Sequence, residues 1–205
     1  LALAGLASNR GRNLLRLADR APGGASLAVV LTNDPDAPVL EGAAERGIPT
    51  EVVPRAGDDR RAHERRVREA LDGYDADLLC LDGYMRVLTG EFLDAVPTTL
   101  NVHPSLLPAF PGTDAHEQAL AAGVRVSGCT VHVVTEAVDA GPVVTQETVP
   151  VYADDDVETL RDRVRREAEF VAYPRAVRWV ADDRVTVGPD RETVTVAGDE
   201  SGTFP

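Results

Sequence analysis

The sequence predicts an α/β protein with a mostly parallel central sheet, helices on both faces and an antiparallel portion in its C-terminal half. Three observations predict it. Short apolar runs alternate with amphipathic or charged segments through the first half. Clusters of Gly, Pro, Asn and Asp punctuate them. Two β-rich runs then lie close together in the second half, a spacing that suits an antiparallel pair.

Residues 1–6 read as a first buried strand, 8–11 as a loop and 13–21 as a helix with Leu14, Leu15 and Leu17 on its apolar side. The run 25–31 is a second strand, stopped by Thr32-Asn33-Asp34-Pro35. A helix follows over 39–46, closed by Gly47, and then a third strand over 49–53. Residues 60–71 form a strongly charged helix, read as a solvated face. A fourth strand covers 76–82, a short helix 89–95 with Thr89 as N-cap, and a fifth strand 99–102. Strands alternating with helices imply βαβ units with right-handed crossovers. After the proline-rich loop 104–112, a helix covers 116–121 and β runs cover 129–135 and 143–151. A long helix spans 156–181, with a break expected near Pro174. Segments 184–187 and 193–196 flank Gly-Pro-Asp-Arg as a hairpin, and 198–205 reads as a loose tail.

The 205 residues suit one compact unit or two intimate halves, and 43% hydrophobic content suffices for a core. Two cysteines build neither a disulfide scaffold nor a four-thiolate zinc site. Cys80, inside an apolar strand, reads as inert core. No apolar run reaches the ~18 residues of a membrane span. The first residues lack a basic segment and read as a strand rather than a signal peptide, so a cytoplasmic protein with no membrane partner is expected. Net charge −13 argues against a general nucleic-acid binder, which needs a positive footprint. All basic residues are Arg, and acidic residues number 34. Two readings stand: a halophilic source, where salt screens repulsion, or a GC-rich genome favouring Arg, Ala, Val and Asp codons.

The loop Ser8-Asn9-Arg10-Gly11-Arg12-Asn13 follows a strand and opens a helix. Free amides at a helix N-terminus favour an anion, and Gly11 permits close approach; an ordinary tight turn is the other reading. The loop is neither a P-loop nor a three-glycine dinucleotide fingerprint, so ATP and NAD are unsupported. Asn101 and His103 are two apart on a strand and share a side, near the strand end where open α/β sheets place ligands. An amide donor beside an imidazole can stabilise an oxyanion or move a proton; it can also be a satisfied polar pair. Asp139, in Val138-Asp139-Ala140-Gly141-Pro142, serves the turn or, folded over His103, orients the imidazole. Asp114 and His116 could join His103 around a metal, but no established ligand spacing is present, and no metal is expected. His63 and His132 read as isolated structural or surface residues. No Gly-x-Ser-x-Gly elbow supports a serine hydrolase.

With these motifs in view, the sequence resembles the phosphoribosylglycinamide formyltransferases of the folate-dependent formyltransferase superfamily, from residue 1 to about residue 187. The most specific stretch is Asn101-Val-His103-Pro-Ser-Leu-Leu-Pro108, then Phe110-Pro111-Gly112 and Val138-Asp139-Ala-Gly-Pro142. Supporting pieces are Gly83-Tyr84-Met85-Arg86-Val87-Leu88, the 8–14 loop and Glu169-Phe-Val-Ala-Tyr173-Pro174. The resemblance implies a Rossmann-like formyltransferase fold and formyl transfer from 10-formyltetrahydrofolate, a co-substrate, to the amine of glycinamide ribonucleotide in purine synthesis. It implies Asn101, His103 and Asp139 as catalytic residues. It assigns the ribonucleotide to Gly11, Arg12, Asn13 and Glu169. It assigns the folate to Arg60, Met85, Arg86, Val87, Leu88, Ala137 and Val138.

On this reading residues 1–187 are one catalytic domain, with a phosphate-binding half (1–98) and a folate-binding, catalytic half (99–187); 188–205 hold the hairpin remainder and tail. Partners are small molecules, and the chain is a monomer or homodimer. The sequence departs from the family loop at Asn9 and Arg12, where Gly and Ser or Thr are usual, and at Asp82 and Phe170. Alternatives are a sugar-nucleotide formyltransferase, a formyltetrahydrofolate deformylase, one domain of a longer purine-pathway enzyme, or a non-catalytic nucleotide- or folate-binding module.

Overall fold

Apolar runs bounded by turn residues become the strands of a mixed seven-stranded sheet, order β3-β2-β1-β4-β5-β6-β7. The computed structural model describes residues 1–55, 57 and 59–198. The chain divides into two compact units, Leu1–Asn101 and the remainder from Val102 onward.

The first unit holds β1 (Ala2–Leu6), α1 (Arg12–Arg20), β2 (Ser26–Thr32), α2 (Val39–Ala44), β3 (Thr50–Val52), α3 (Arg60–Leu71), β4 (Leu78–Leu81), α4 (Gly90–Asp94) and the start of β5 (Thr99–His103). All four strand pairs here are parallel: β1 with β2 and β4, β2 with β3, β4 with β5. β1 has neighbours on both edges, and Leu3, Ala4 and Leu6 are fully buried. Gly5 explains how closely α1 packs, since a Cβ there would meet Leu14 Cδ1 at 2.7 Å. Thr89 caps α4 as the sequence predicts, its hydroxyl accepting from Phe92 N at 3.2 Å. The reading of α3 as a solvated face needs correction. His63, Glu64, Val67 and Leu71 are buried along one side, while Arg61, Arg65 and Arg68 stay exposed. Polar groups within hydrogen-bond reach hold His63 and Glu64 inside, so composition alone misjudged the face.

In the second unit β5 runs on to His103. It is followed by α5 (Ala115–Ala121), β6 (Val126–Val133), β7 (Val143–Pro150), α6 (Val157–Arg163), a π-helical segment (Val164–Glu169), α7 (Phe170–Ala181), β8 (Val185–Val187) and β9 (Val194–Val196). β6 and β7 are antiparallel, from Val126 opposite Pro150 to His132 opposite Val143, with a register shift between Val131 and His132. β8 and β9 pair antiparallel as the terminal hairpin. The break expected near Pro174 lies upstream instead. Pro174 sits inside α7, and the irregular turns are Val164–Glu169. Proline withholds an N–H and crowds the carbonyl four residues back, so the adjustment falls on the N-terminal side. Tyr173, Ala176 and Val177 on α7 are fully buried. Residues 199–205 of the expected tail lie outside the described residues. Among the described residues no helix is long and apolar enough to cross a membrane.

Candidate active site

Strand β5 ends in Asn101-Val102-His103, so strand alternation sends the Asn101 and His103 side chains to the same face. The loop that follows is tied down within the second unit. Ser105 Oγ donates to Ala109 O at 2.6 Å, and Leu107 N donates to Thr130 Oγ1 at 2.9 Å. Thr130 Oγ1 donates to Ser105 O at 2.7 Å, and Gln146 Nε2 donates to Leu107 O at 2.9 Å. β6 and β7 thus hold the proline-rich loop through directional bonds.

That loop and the 138–142 turn enclose the imidazole of His103, which is 4% exposed. His103 Nδ1 lies 3.2 Å from Asp139 Oδ2, and Nε2 lies 2.9 Å from Phe110 O. A neutral imidazole can donate to one of these acceptors; an imidazolium can donate to both. Asp139 Oδ2 also accepts from Gly112 N at 2.8 Å. Its other oxygen, Oδ1, lies 3.6 Å from His132 Nε2, and His132 Nδ1 lies 3.0 Å from Val133 O. Burial pushes the Asp139 carboxyl upward. The His132 contact, the Gly112 amide and the charge of His103 outweigh it, and the pKa lies below the ordinary aspartate value.

His132 is therefore not isolated, as its sequence context suggested, but a buried partner of Asp139. The signal was present: His132 lies near the end of β6 and Asp139 in the connection between β6 and β7, so closing the hairpin brings the two close. His116 is buried and its pKa is lowered to about 4, first by burial and then by Arg161, His103 and Arg165. Among the described residues, no three His, Cys, Asp or Glu side chains are grouped to hold a metal.

In the first unit the loop after β1 touches the segment after β4. Met85 N donates to Ser8 Oγ at 3.1 Å, and Ser8 N donates to Gly83 O at 3.3 Å. Gly11 takes a left-handed backbone, φ 52°, and its Cα packs so closely on Val39 that a side chain has no room. Gly11 N donates to Asn9 Oδ1 at 3.0 Å. Asn13 is buried, giving its N–H to Asp82 Oδ2 at 2.7 Å and its carboxamide to Asp82 Oδ1 at 3.1 Å. Two groups expected to face a phosphate are thus engaged by protein acceptors. Neither Arg10 nor Arg12 has an ion-pair partner among the described residues.

Residues 2–177 match the formyl transferase family. The chain belongs to the formyl transferase family. It is 37% identical over 185 residues to the phosphoribosylglycinamide formyltransferase of Escherichia coli strain K12, covering 88% of this chain and 87% of that one. It is 42% identical over 199 residues to the trifunctional purine biosynthetic protein adenosine-3 of Bos taurus, covering 95% of this chain. It spans only 20% of that relative's length. The crystal structure of glycinamide ribonucleotide transformylase 1 from Symbiobacterium toebii superposes with a TM-score of 0.89 at 41% identity, over 96% of this chain and 93% of that one.

Of the other residues expected at a formyl transferase site, Ala137 and Val138 immediately precede Asp139, while the rest lie apart from the His103–Asp139 cluster in chain position. Met85 and Val87 are 65% and 42% exposed, whereas Leu88 is buried. Arg86 N donates to Tyr84 O, closing a tight turn. Ala137 and Val138 are exposed in the turn before Asp139, Arg60 is exposed at the start of α3, and Glu169 closes the π-helical segment.

Proposed function

We propose that this chain is a phosphoribosylglycinamide formyltransferase, moving the formyl group of 10-formyltetrahydrofolate to the amine of glycinamide ribonucleotide. The observation that carries the reading is the His103–Asp139 contact at the end of the strand that presents Asn101. The kinship with enzymes bearing that name at 37% identity supports the choice of acceptor.

In the proposed reaction the amine nitrogen attacks the formyl carbon and the carbon–N10 bond of the folate breaks. A proton leaves the amine and reaches N10. Asn101 donates to the oxyanion formed on the way, and His103 in its imidazolium form neutralises it. Asp139, ionised well into the acid range, supports the imidazolium and assists the proton's passage. Arg12, Gly11, Asn13 and Glu169 are assigned to the ribonucleotide. Arg60, Met85, Arg86, Val87, Leu88, Ala137 and Val138 are assigned to the folate. The test is a formyl-transfer assay offering glycinamide ribonucleotide, an amino sugar nucleotide and water as acceptors. Transfer confined to the ribonucleotide supports the reading; release of formate alone overturns it in favour of a deformylase.

A further inference from the structure

α3 buries two consecutive polar residues, His63 and Glu64, each 5% exposed. His63 Nε2 lies 3.2 Å from Tyr84 Oη. Glu64 engages both donors of Thr89: Oε1 accepts from the backbone N–H at 2.8 Å and Oε2 from the hydroxyl at 2.5 Å. Thr89 in turn caps α4 through Phe92 N. Tyr84 and Thr89 are the residues on either side of Met85, Arg86, Val87 and Leu88. One turn of α3 therefore grips both ends of a four-residue segment that has no regular secondary structure.

The choice of residue types is informative. Burying a carboxylate carries a desolvation cost that apolar side chains would avoid. Hydrogen bonds supply direction in return: they fix the path of the main chain, which apolar packing does less sharply. Burial raises the Tyr84 hydroxyl to about 12, so it stays protonated beside His63 at any working pH. The gripped segment holds Met85 and Val87 outward, two large apolar side chains left exposed. A segment whose ends are fixed and whose apolar groups face out is prepared to receive a flat apolar ligand without ordering itself on binding. Arg60 stands one turn earlier on the same side of α3 as His63 and Glu64.

We propose that His63 and Glu64 are positioning residues for folate binding, holding the 85–88 segment in its binding conformation from α3. This rests on the assignment of that segment to the folate. The test measures tetrahydrofolate binding by calorimetry, the KM of each substrate and the melting temperature, for Glu64→Ala, Glu64→Gln, Tyr84→Phe and Val87→Asp in the full chain. Glu64→Ala, losing two hydrogen bonds, should weaken tetrahydrofolate about 10-fold or more. Glu64→Gln keeps an acceptor for Thr89 N and should recover most of that loss. Tyr84→Phe should weaken tetrahydrofolate about threefold, the scale of one neutral hydrogen bond. The ribonucleotide KM should stay within about twofold throughout. Lower melting temperatures with unchanged tetrahydrofolate affinity in Glu64→Ala and Tyr84→Phe overturn the proposal, and Tyr84→Phe decides it if Glu64→Ala does not fold. Val87→Asp tests the underlying assignment: tetrahydrofolate affinity unmoved by it removes the segment from the folate site. Weakening by Val87→Asp alone removes only the role of α3.

Discussion

His103 Nδ1 and Asp139 Oδ2 stand 3.2 Å apart, and the same carboxylate oxygen takes the Gly112 amide at 2.8 Å. One oxygen thus binds both the imidazole and the end of the proline-rich loop, so the residue that tunes the ring also fixes the wall beside it. With His132 on the other oxygen, the carboxylate has partners on both sides and little freedom to rotate.

Alanine at Asn101, His103 or Asp139 is expected to lower kcat by roughly 100- to 1,000-fold, the cost of losing an oxyanion donor or its support. Alanine at His132 removes a longer contact, 3.6 Å from the other carboxylate oxygen, and should cost less, about threefold. Steady-state kinetics with circular dichroism on each variant checks this. Turnover at the wild-type rate in any of the first three would remove that residue from the mechanism.

Local features were legible in the sequence because they depend on neighbours in the chain. The Thr89 cap needed only Phe92 three residues on, and the shared side of Asn101 and His103 needed only strand alternation. His63 and His132 look isolated in the sequence because their partners, Tyr84 and Asp139, are brought in by a strand crossover and by a hairpin. Asp82 stands out in the sequence only as a departure from the family pattern; its bonds to Asn13 depend on β4 lying beside β1. The π-helical turns were hidden because their residues have ordinary helical composition.

Arg12 is expected to carry phosphate recognition, since Asn13 is already engaged by Asp82 and the Gly11 amide by Asn9. Arg12→Ser should raise the ribonucleotide KM about tenfold and leave the folate KM nearly fixed. Asp82→Asn should lower the ribonucleotide KM, because it keeps an acceptor for Asn13 N while removing a negative charge beside the α1 N-terminus. Unchanged ribonucleotide KM in both variants would exclude this loop from phosphate binding.

His116 and Asp139 are among the groups that make stability fall on the acid side. His116 has a pKa near 4 in the folded protein and 6.5 as a free side chain, so its neutral form is favoured by folding. Its contribution is complete above pH 6.5 and is lost as pH falls toward 4, a change of order 1–3 kcal/mol. Asp139 acts lower: its depressed pKa stabilises the fold above about 3.8 and loses that contribution as pH falls through the folded value. Melting temperatures from pH 7 to 4 should drop less for His116→Gln than for the wild type. Parallel curves would show that the buried imidazole does not titrate with folding.

Net charge −13 predicts that salt stabilises the chain. The screening length shortens from ~30 Å at 0.01 M to ~3 Å at 1 M, which relieves repulsion among 34 acidic side chains. The melting temperature should rise between low and molar KCl. A flat response would favour codon composition as the origin of the Arg-only, Asp-rich sequence.

The π-helical turns at Val164–Glu169 can be restated as an insertion. Relative to an α-helix, such a turn accommodates one extra residue, and each α-helical residue advances the chain by about 100°. Because the wide turn absorbs that residue, α7 keeps nearly the phase it would have as a direct continuation of α6, and Tyr173, Ala176 and Val177 face the core. Deleting one residue within Val164–Glu169 would close the bulge to a continuous α-helix and leave those three side chains facing inward. Deleting a residue inside α7 ahead of Tyr173, with the bulge kept, would instead turn them by about 100°. The segment is thus the one place along these helices where the chain can lose a residue without unburying α7.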